Sequence, residues 1–178
     1  VDYFEEKNIK IFGPNKKCSQ LEGSKFFMKN ICKKYNITTA KHIEIAEINQ
    51  GKNFLKESDF PIVVKSDGLA SGKGVTICND EEQALKDIQK ILNGKFASSN
   101  KVFIEEFLKG EELSYFIITD GQEYKCIGTA QDHKKIGEGD VGLNTGGMGA
   151  YSPSKIINKE LENKIQKKII EPTLNGMK

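Results

Sequence analysis

The stretch PIVVKSDGLASGKGVTIC, residues 61–78, constrains the fold more than any other part of the chain. Two β-branched runs flank a loop rich in glycine and serine, so the backbone must run strand, loop, strand. Strand alternation puts Val63 and Lys65 on one face, opposite Ile62 and Val64. A lysine in an otherwise apolar row is costly unless it meets an anion. Glycines let backbone N–H groups approach phosphate oxygens closely and let a loop fold over a ligand. From these residues alone, a phosphate-binding lid and a solvated edge strand with a mobile turn both remain open.

Two familiar phosphate loops are excluded. A Walker A loop needs G-x-x-x-x-G-K followed by Ser or Thr, whose hydroxyl holds the metal. Here three residues separate Gly68 from Gly72, Lys73 precedes Gly74, and a strand follows where a helix should begin. The dinucleotide pattern G-x-G-x-x-G also fails, because Ile77 occupies the place of its third glycine.

Around this unit, strand and helix signals are mixed. IKIF (9–12) reads as a short strand closed by Gly13-Pro14. SQLEGSKFFMKNICKKY reads as a helix in which Ser19 and Glu22 have capping-box spacing and Leu21, Phe27, Met28, Ile31 and Cys32 share a face. TAKHIEIAEI (39–48) starts as a strand, and Asn79 with Glu82 opens an amphipathic helix running to about Leu92. Ala84, Leu85, Ile88, Ile91 and Leu92 are spaced for burial along it. KVFIEEFL (101–108) is strand-like, and GEELSYFIIT and YKCIGTAQ are strands joined by a turn at Asp120-Gly121. Residues 131–153 show neither period and read as a long glycine-rich loop; a last helix starts near Asn158. This order predicts an α+β fold.

Composition narrows the partners. With 27 basic and 25 acidic residues among 178, the net charge of +2 creates no field for nucleic acid. Every basic residue is lysine, so a bound phosphate would be held by ammonium groups and backbone amides rather than guanidinium forks. Cys18, Cys32, Cys78 and Cys126 form no C-x-x-C pair, and with two histidines a zinc site is disfavoured. Scattered thiols fit a reducing cytoplasm. No run approaches the roughly 20 apolar residues that span a bilayer, so no membrane partner is expected. The abrupt start without Met and the stop just after a helix-like segment lead us to expect a fragment of a longer polypeptide.

Two further constellations bear on chemistry. In VFIEEFLKGEELS an apolar strand ends in two acids, with more acid after a glycine. This is either a solvated charge run or a hinge whose backbone reads an adenine edge while a carboxylate takes ribose hydroxyls. NTGGMGAYSP (144–153) either is a disordered loop or presents several unencumbered amides to a phosphate or carboxylate, with Asp132, His133 and Lys134 adding polar contacts.

Taken in order, these pieces resemble the phosphoribosylamine–glycine ligase family of the ATP-grasp superfamily, from about Ile9 to the C-terminus. FGP…QLEGSK, PIVVKSDGLASGKGV, EEFLKGEE and QDHKKIGEGDVGLNTGGMGAYSP carry the resemblance, the last being the most specific. Ser66 replaces the family's usual Ala, Leu143 a common Pro, and Lys135 a frequent Arg; Leu143 should loosen its loop.

The resemblance implies an ATP-grasp fold with nucleotide between two lobes, incomplete at the C-terminus. Residues 1–14 would end a preceding N-terminal domain and 15–37 would form the helix leading into the ATP-grasp module. Residues 38–107 would be the lid lobe, with glycine loop 66–74, and 108–178 the first part of the larger lobe. Lys25 and Lys65 would neutralise phosphate charge beneath a lid containing Asp67, Gly68, Ser71, Gly72, Lys73 and Gly74. Glu105, Glu106, Phe107 and Leu108 would read adenine, mainly through backbone groups, and Glu112 would bind ribose. Asp132, His133, Lys134, Asn144, Thr145, Gly146 and Gly147 would hold glycine and 5-phosphoribosylamine. The implied reaction phosphorylates the glycine carboxylate with ATP, and the amine then displaces phosphate to give glycinamide ribonucleotide.

ATP and Mg2+, with Mn2+ an alternative, are the implied cofactors. The resemblance implies metal ligands, acidic residues and an Asn on a strand, beyond residue 178; the nearest carboxylates here, Glu160 and Glu162, sit on what reads as a solvated helix. The chain alone is therefore expected to bind nucleotide weakly and not to turn over. Another ATP-grasp carboxylate–amine ligase and a non-catalytic nucleotide-binding module are the alternatives, and oligomeric state is left open.

Overall fold

The computed structural model describes residues 1–68, 74–95, 101–139 and 141–178; the side chains of Leu143 and Asn144 also lie outside the description. The chain divides into two compact units, Val1–Leu108 and Lys109–Lys178.

The first unit is built on four strands, β1 (His42–Ile45), β2 (Ile62–Ser66), β3 (Val75–Cys78) and β4 (Val102–Glu106). They lie in the order β1-β4-β2-β3, each neighbour antiparallel. Ile43 and Val64 flank Ile104, while His42 and Val63 flank Glu105. The period of two therefore sends the two rows to opposite faces. One face joins helices α4 (Ile48–Leu55) and α5 (Glu81–Leu92) in a core of Ile45, Leu55, Ile62, Val64, Cys78, Ala84, Ile88, Ile91, Val102 and Ile104. The opposite row carries Val63, Lys65, Phe103 and Glu105.

Helix boundaries follow local capping and correct several expectations. The segment expected as one helix is two, α2 (Lys16–Gly23) and α3 (Lys25–Lys34), after the short α1 (Asp2–Glu6). Ser24 is extended, at φ −142° and ψ 115°, and its hydroxyl accepts from the Phe27 N–H, so it closes α2 and caps α3. Asn15, not Ser19, caps α2 by accepting from the Cys18 N–H; Ser19 lies inside the helix and donates to the Lys16 carbonyl. Helix α5 starts one residue later than expected: Asp80 accepts from the Gln83 N–H, and Gln83 Oε1 reaches back to the Asn79 N–H.

IKIF is not a strand. Ile9, Ile11 and Phe12 are exposed in irregular chain, with no neighbouring strand among the described residues to pair their backbone. Conversely, INQGKNFL is a helix although Gly51 sits at its middle. A Cβ there would meet Ile88 Cδ1 at 3.3 Å, so glycine permits the close approach of α4 to α5.

In the second unit, β5 (Ser114–Thr119), β6 (Tyr124–Asp132) and β9 (Ala150–Tyr151) form an antiparallel sheet in the order β5-β6-β9. The β5–β6 turn is held by Asp120, whose Oδ1 accepts from the N–H groups of Gln122 and Glu123 at 2.9 and 2.8 Å. The expectation of a structureless loop over 131–153 is corrected. β6 runs into it to Asp132, and β7 (Lys135–Gly137) pairs with β8 (Val141–Asn144) as a separate hairpin. The glycines masked a period that short strands barely display. Beyond it, Asn158 caps α6 (Lys159–Ile165), which passes through one π-helical turn, Gln166–Ile170, into α7 (Glu171–Met177). Pro172, early in α7, lacks an N–H and crowds the preceding turn; the wider π turn lets the helix continue past it.

Candidate functional site

Lys65 meets an anion, as a lysine in an apolar row must, and the anion is Glu105. Its Nζ lies 2.7 Å from Glu105 Oε2 across the β2–β4 pair. The other carboxylate oxygen lies 3.2 Å from Nζ of Lys29, on α3. Lys29 also donates to Thr39 Oγ1 at 2.8 Å and to the Ala40 carbonyl at 3.3 Å. Lys29 is 2% exposed and Glu105 5%, whereas Lys65 is 27% exposed. One buried carboxylate thus stands between two ammonium groups, one sealed in and one open to solvent. Deleting one partner of a buried pair typically costs about 3–5 kcal/mol, because it strands a charge.

The first residues of the glycine loop are anchored to the same helix. Asp67 accepts from the Phe26 N–H at 3.1 Å and from the Ser24 hydroxyl at 3.3 Å, so it serves the N-terminus of α3 beside Ser24. Its own N–H donates to the Lys101 carbonyl at 3.1 Å. Lys25 Nζ donates to the Gly68 carbonyl at 3.0 Å, and Gly68 takes φ +74°, which glycine adopts without strain. Across the neck of the loop, the Ser66 N–H donates to the Gly74 carbonyl at 2.8 Å. Ser71, Gly72 and Lys73 lie outside the described residues.

After Glu106, the last residue of β4, the chain leaves the sheet. The Glu106 N–H donates to the Lys41 carbonyl at 3.0 Å, and Glu106 Oε1 accepts from the Lys41 N–H at 2.8 Å. Phe107 and Leu108 follow in irregular chain, with Leu108 exposed. The Glu105 side chain is therefore committed to the two lysines and that of Glu106 to Lys41.

The second unit brings Glu112 and Lys134 together as an ion pair, and Gln131 Nε2 donates to the Glu112 carbonyl at 3.0 Å. Asp132 and His133 are exposed; the His133 N–H donates to Gly149, its carbonyl accepts from Met148, and its ring lies 5.9 Å from that of Tyr151. The expectation of unencumbered amides over 144–147 needs correction. Asn144 pairs with Lys135 in the β7–β8 ladder, and the Thr145 N–H donates to the Lys134 carbonyl at 2.7 Å. The Gly147 N–H donates to Thr145 Oγ1 at 3.0 Å. The exposed Gly146 amide has no partner among the described residues. Apart from Gly146, the turn from Thr145 to Met148 satisfies its own donors because the glycines allow it to fold on itself.

Several residues were not singled out from sequence. Lys29 was invisible because it lies four residues after Lys25 in a lysine-rich helix; its only distinction is sharing a helical face with the buried Cys32. Thr129, Gln131 and Ser154 fix the chain after β9: the Ser154 N–H donates to Thr129 Oγ1, and its hydroxyl donates to Gln131 Oε1 at 2.8 Å. Glu162, expected on a solvated face, accepts from the Tyr115 hydroxyl at 3.2 Å. Burial, with Cys126 next, pushes that hydroxyl's pKa up to about 12. Among the described residues, no three His, Cys, Asp or Glu side chains converge as a metal site would require.

The comparisons with known proteins agree with this architecture. A phosphoribosylamine–glycine ligase from Arabidopsis thaliana, described as chloroplastic, is 48% identical over 95% of this chain and 32% of its own length. One from Haemophilus influenzae is 45% identical over 99% of this chain and 42% of its own. A crystal structure of phosphoribosylamine–glycine ligase from Thermotoga maritima superposes with a TM-score of 0.85 at 36% identity, covering 93% of this chain and 42% of that one. The chain thus spans about a third to two fifths of the length of these relatives. The family model for the phosphoribosylglycinamide synthetase ATP-grasp (A) domain matches residues 23–178, and the chain belongs to that family, with an α+β ATP-grasp fold.

Proposed function

We propose that this chain is the nucleotide-binding part of an ATP-dependent phosphoribosylamine–glycine ligase. The observation that carries the reading is Lys65. It is a partly open ammonium at the root of a glycine loop, on a β-hairpin within the segment that the family model matches. Lys65, with Lys25 and the loop residues Asp67, Gly68, Ser71, Gly72, Lys73 and Gly74, takes the phosphates. Backbone groups from Glu105 to Leu108 read adenine. Glu112 takes the ribose hydroxyls, for which it must share or release Lys134. Asp132, His133, Lys134 and the turn from Asn144 to Gly147 take glycine and 5-phosphoribosylamine, with the exposed Gly146 amide the donor left for an anion.

The chemistry asks little covalent work of the protein. A glycine carboxylate oxygen attacks the γ-phosphorus and ADP leaves. The amine nitrogen then attacks the acyl carbon, losing a proton as phosphate departs. Both steps depend on positioning and on stabilising charge, for which ammonium groups and amides suffice at the protein's end. A closed loop keeps water from the acyl phosphate. Mg2+ would accompany ATP, but among the described residues no three His, Cys, Asp or Glu side chains converge to hold it. The four cysteines are free thiols, which supports a reducing compartment such as the cytoplasm.

The test grafts this chain into the Haemophilus influenzae relative in place of the matching segment. ADP release should require both glycine and phosphoribosylamine and should fall at least about tenfold in Lys65→Ala, the loss of one charge-assisted contact. A folded graft that releases ADP with a different acid or amine would favour another ligase of the superfamily. One that binds no nucleotide would end the reading.

A further inference from the structure

The Lys29–Glu105–Lys65 cluster contains more charge than Lys65 needs for its own burial. Glu105 alone would neutralise it, yet a second lysine is buried against the far carboxylate oxygen. An ammonium has three N–H donors, and Lys29 has three acceptors within reach: Glu105 Oε1, Thr39 Oγ1 and the Ala40 carbonyl. It has no donor left for a ligand and, at 2% exposure, no surface to offer one. Lys65 has one partner among the described residues, Glu105, and is the member that solvent reaches. The cluster sums to one positive charge, and the exposed member is the lysine with unused donors.

We infer that Lys29 is a positioning residue that cancels the charge of Glu105, so that Lys65 presents an uncompensated ammonium to a polyphosphate anion. Glu105 then aims the Lys65 side chain without neutralising the site. Without Lys29, the Lys65–Glu105 pair is a neutral dipole, and an arriving phosphate meets a carboxylate as well as an ammonium. Coulomb interactions of a buried charge are screened less than those at the surface, so Lys29 acts without touching the ligand. The inference rests on the assignment of Lys65 to nucleotide phosphate.

The test titrates a non-hydrolysable ATP analogue, with the β–γ bridging oxygen replaced by NH, into wild type, Lys29→Met, Lys29→Gln, Glu105→Gln, the Lys29→Met/Glu105→Gln double variant and Lys65→Met. Lys29→Met should weaken binding about tenfold, equivalent to about 1.4 kcal/mol. The double variant restores the single net charge and should return to within about threefold of wild type, a rescue that lost packing alone would not produce. Lys29→Gln, which loses the charge but keeps a donor for Thr39 and the Ala40 carbonyl, should weaken binding as Lys29→Met does, which keeps the inference testable if Lys29→Met fails to fold. Unaffected Lys29 variants or an unrescued double variant would overturn the inference while Lys65→Met still weakens binding. If Lys65→Met binds as wild type does, the phosphate assignment itself fails.

Discussion

Asp67 is a single residue whose side chain serves two N-terminal groups of α3 while its backbone N–H donates to the Lys101 carbonyl, just before β4. Asp67→Ala should destabilise the first unit by about 1–3 kcal/mol, the cost of leaving partly buried donors unserved, as read by denaturant midpoint. Cys78 is fully buried, and burial, with Asp87 and Asp80 nearby, pushes its thiol up to about 11. Iodoacetamide at pH 8 should therefore label the partly exposed Cys18 and Cys126 well before Cys78, whose labelling should await denaturant. Asp120 is held below the usual carboxylate range by the N–H groups of Glu123 and Gln122. Its contribution to stability is complete above its ordinary value and is lost as pH falls through the lowered one. Asp120→Ala should flatten that part of the acid unfolding curve, with no effect attributable to this group above neutrality. Lys65 was legible in the sequence because its oddity is local, a charge in an apolar strand. Lys29 was not, because what makes it unusual is a carboxylate far along the chain.

Elements were legible where a period ran long enough to be unambiguous. Helix α5 shows its buried stripe at Ala84, Ile88 and Ile91, and the structure buries all three. Ile88→Ala should cost about 2–5 kcal/mol, because α4 packs too closely to collapse fully into the void. The break between α2 and α3 depends on one residue in extended conformation, which a continuous amphipathic pattern hides. Ser24→Ala should cost about 1 kcal/mol from the cap itself. If thermal unfolding of that variant does not shift, the capping account of the break is wrong. The strands within 131–153 escaped detection for a different reason. Each is two to four residues long, and glycines interrupt the alternation that would reveal them.

At the scale of the molecule, the α+β class and the ATP-grasp family were readable because motif order survives where single motifs are ambiguous. The glycine loop by itself matched a mobile turn as well as a lid. Only in sequence with EEFLKGEE and the segment ending in YSP did it define a family, which the match over residues 23–178 bears out. What motif order did not reveal is the internal hydrogen bonding of that last segment, since a glycine's amide can serve a ligand or its own turn equally well. Net charge is close to zero overall, so under the proposed function attraction for a nucleotide would come from local clusters such as the one at Lys65. Among the described residues, no helix is long and apolar enough to cross a membrane.

The central claim is that nucleotide phosphates bind at the Lys65 face of the β2–β4 pair. Amide hydrogen exchange with and without the non-hydrolysable ATP analogue tests it most directly. Slowed exchange should concentrate in residues 62–74 and 102–108 and should vanish in Lys65→Met at the same ligand concentration. Protection confined to other segments, or equal in the variant and the wild type, would contradict the account.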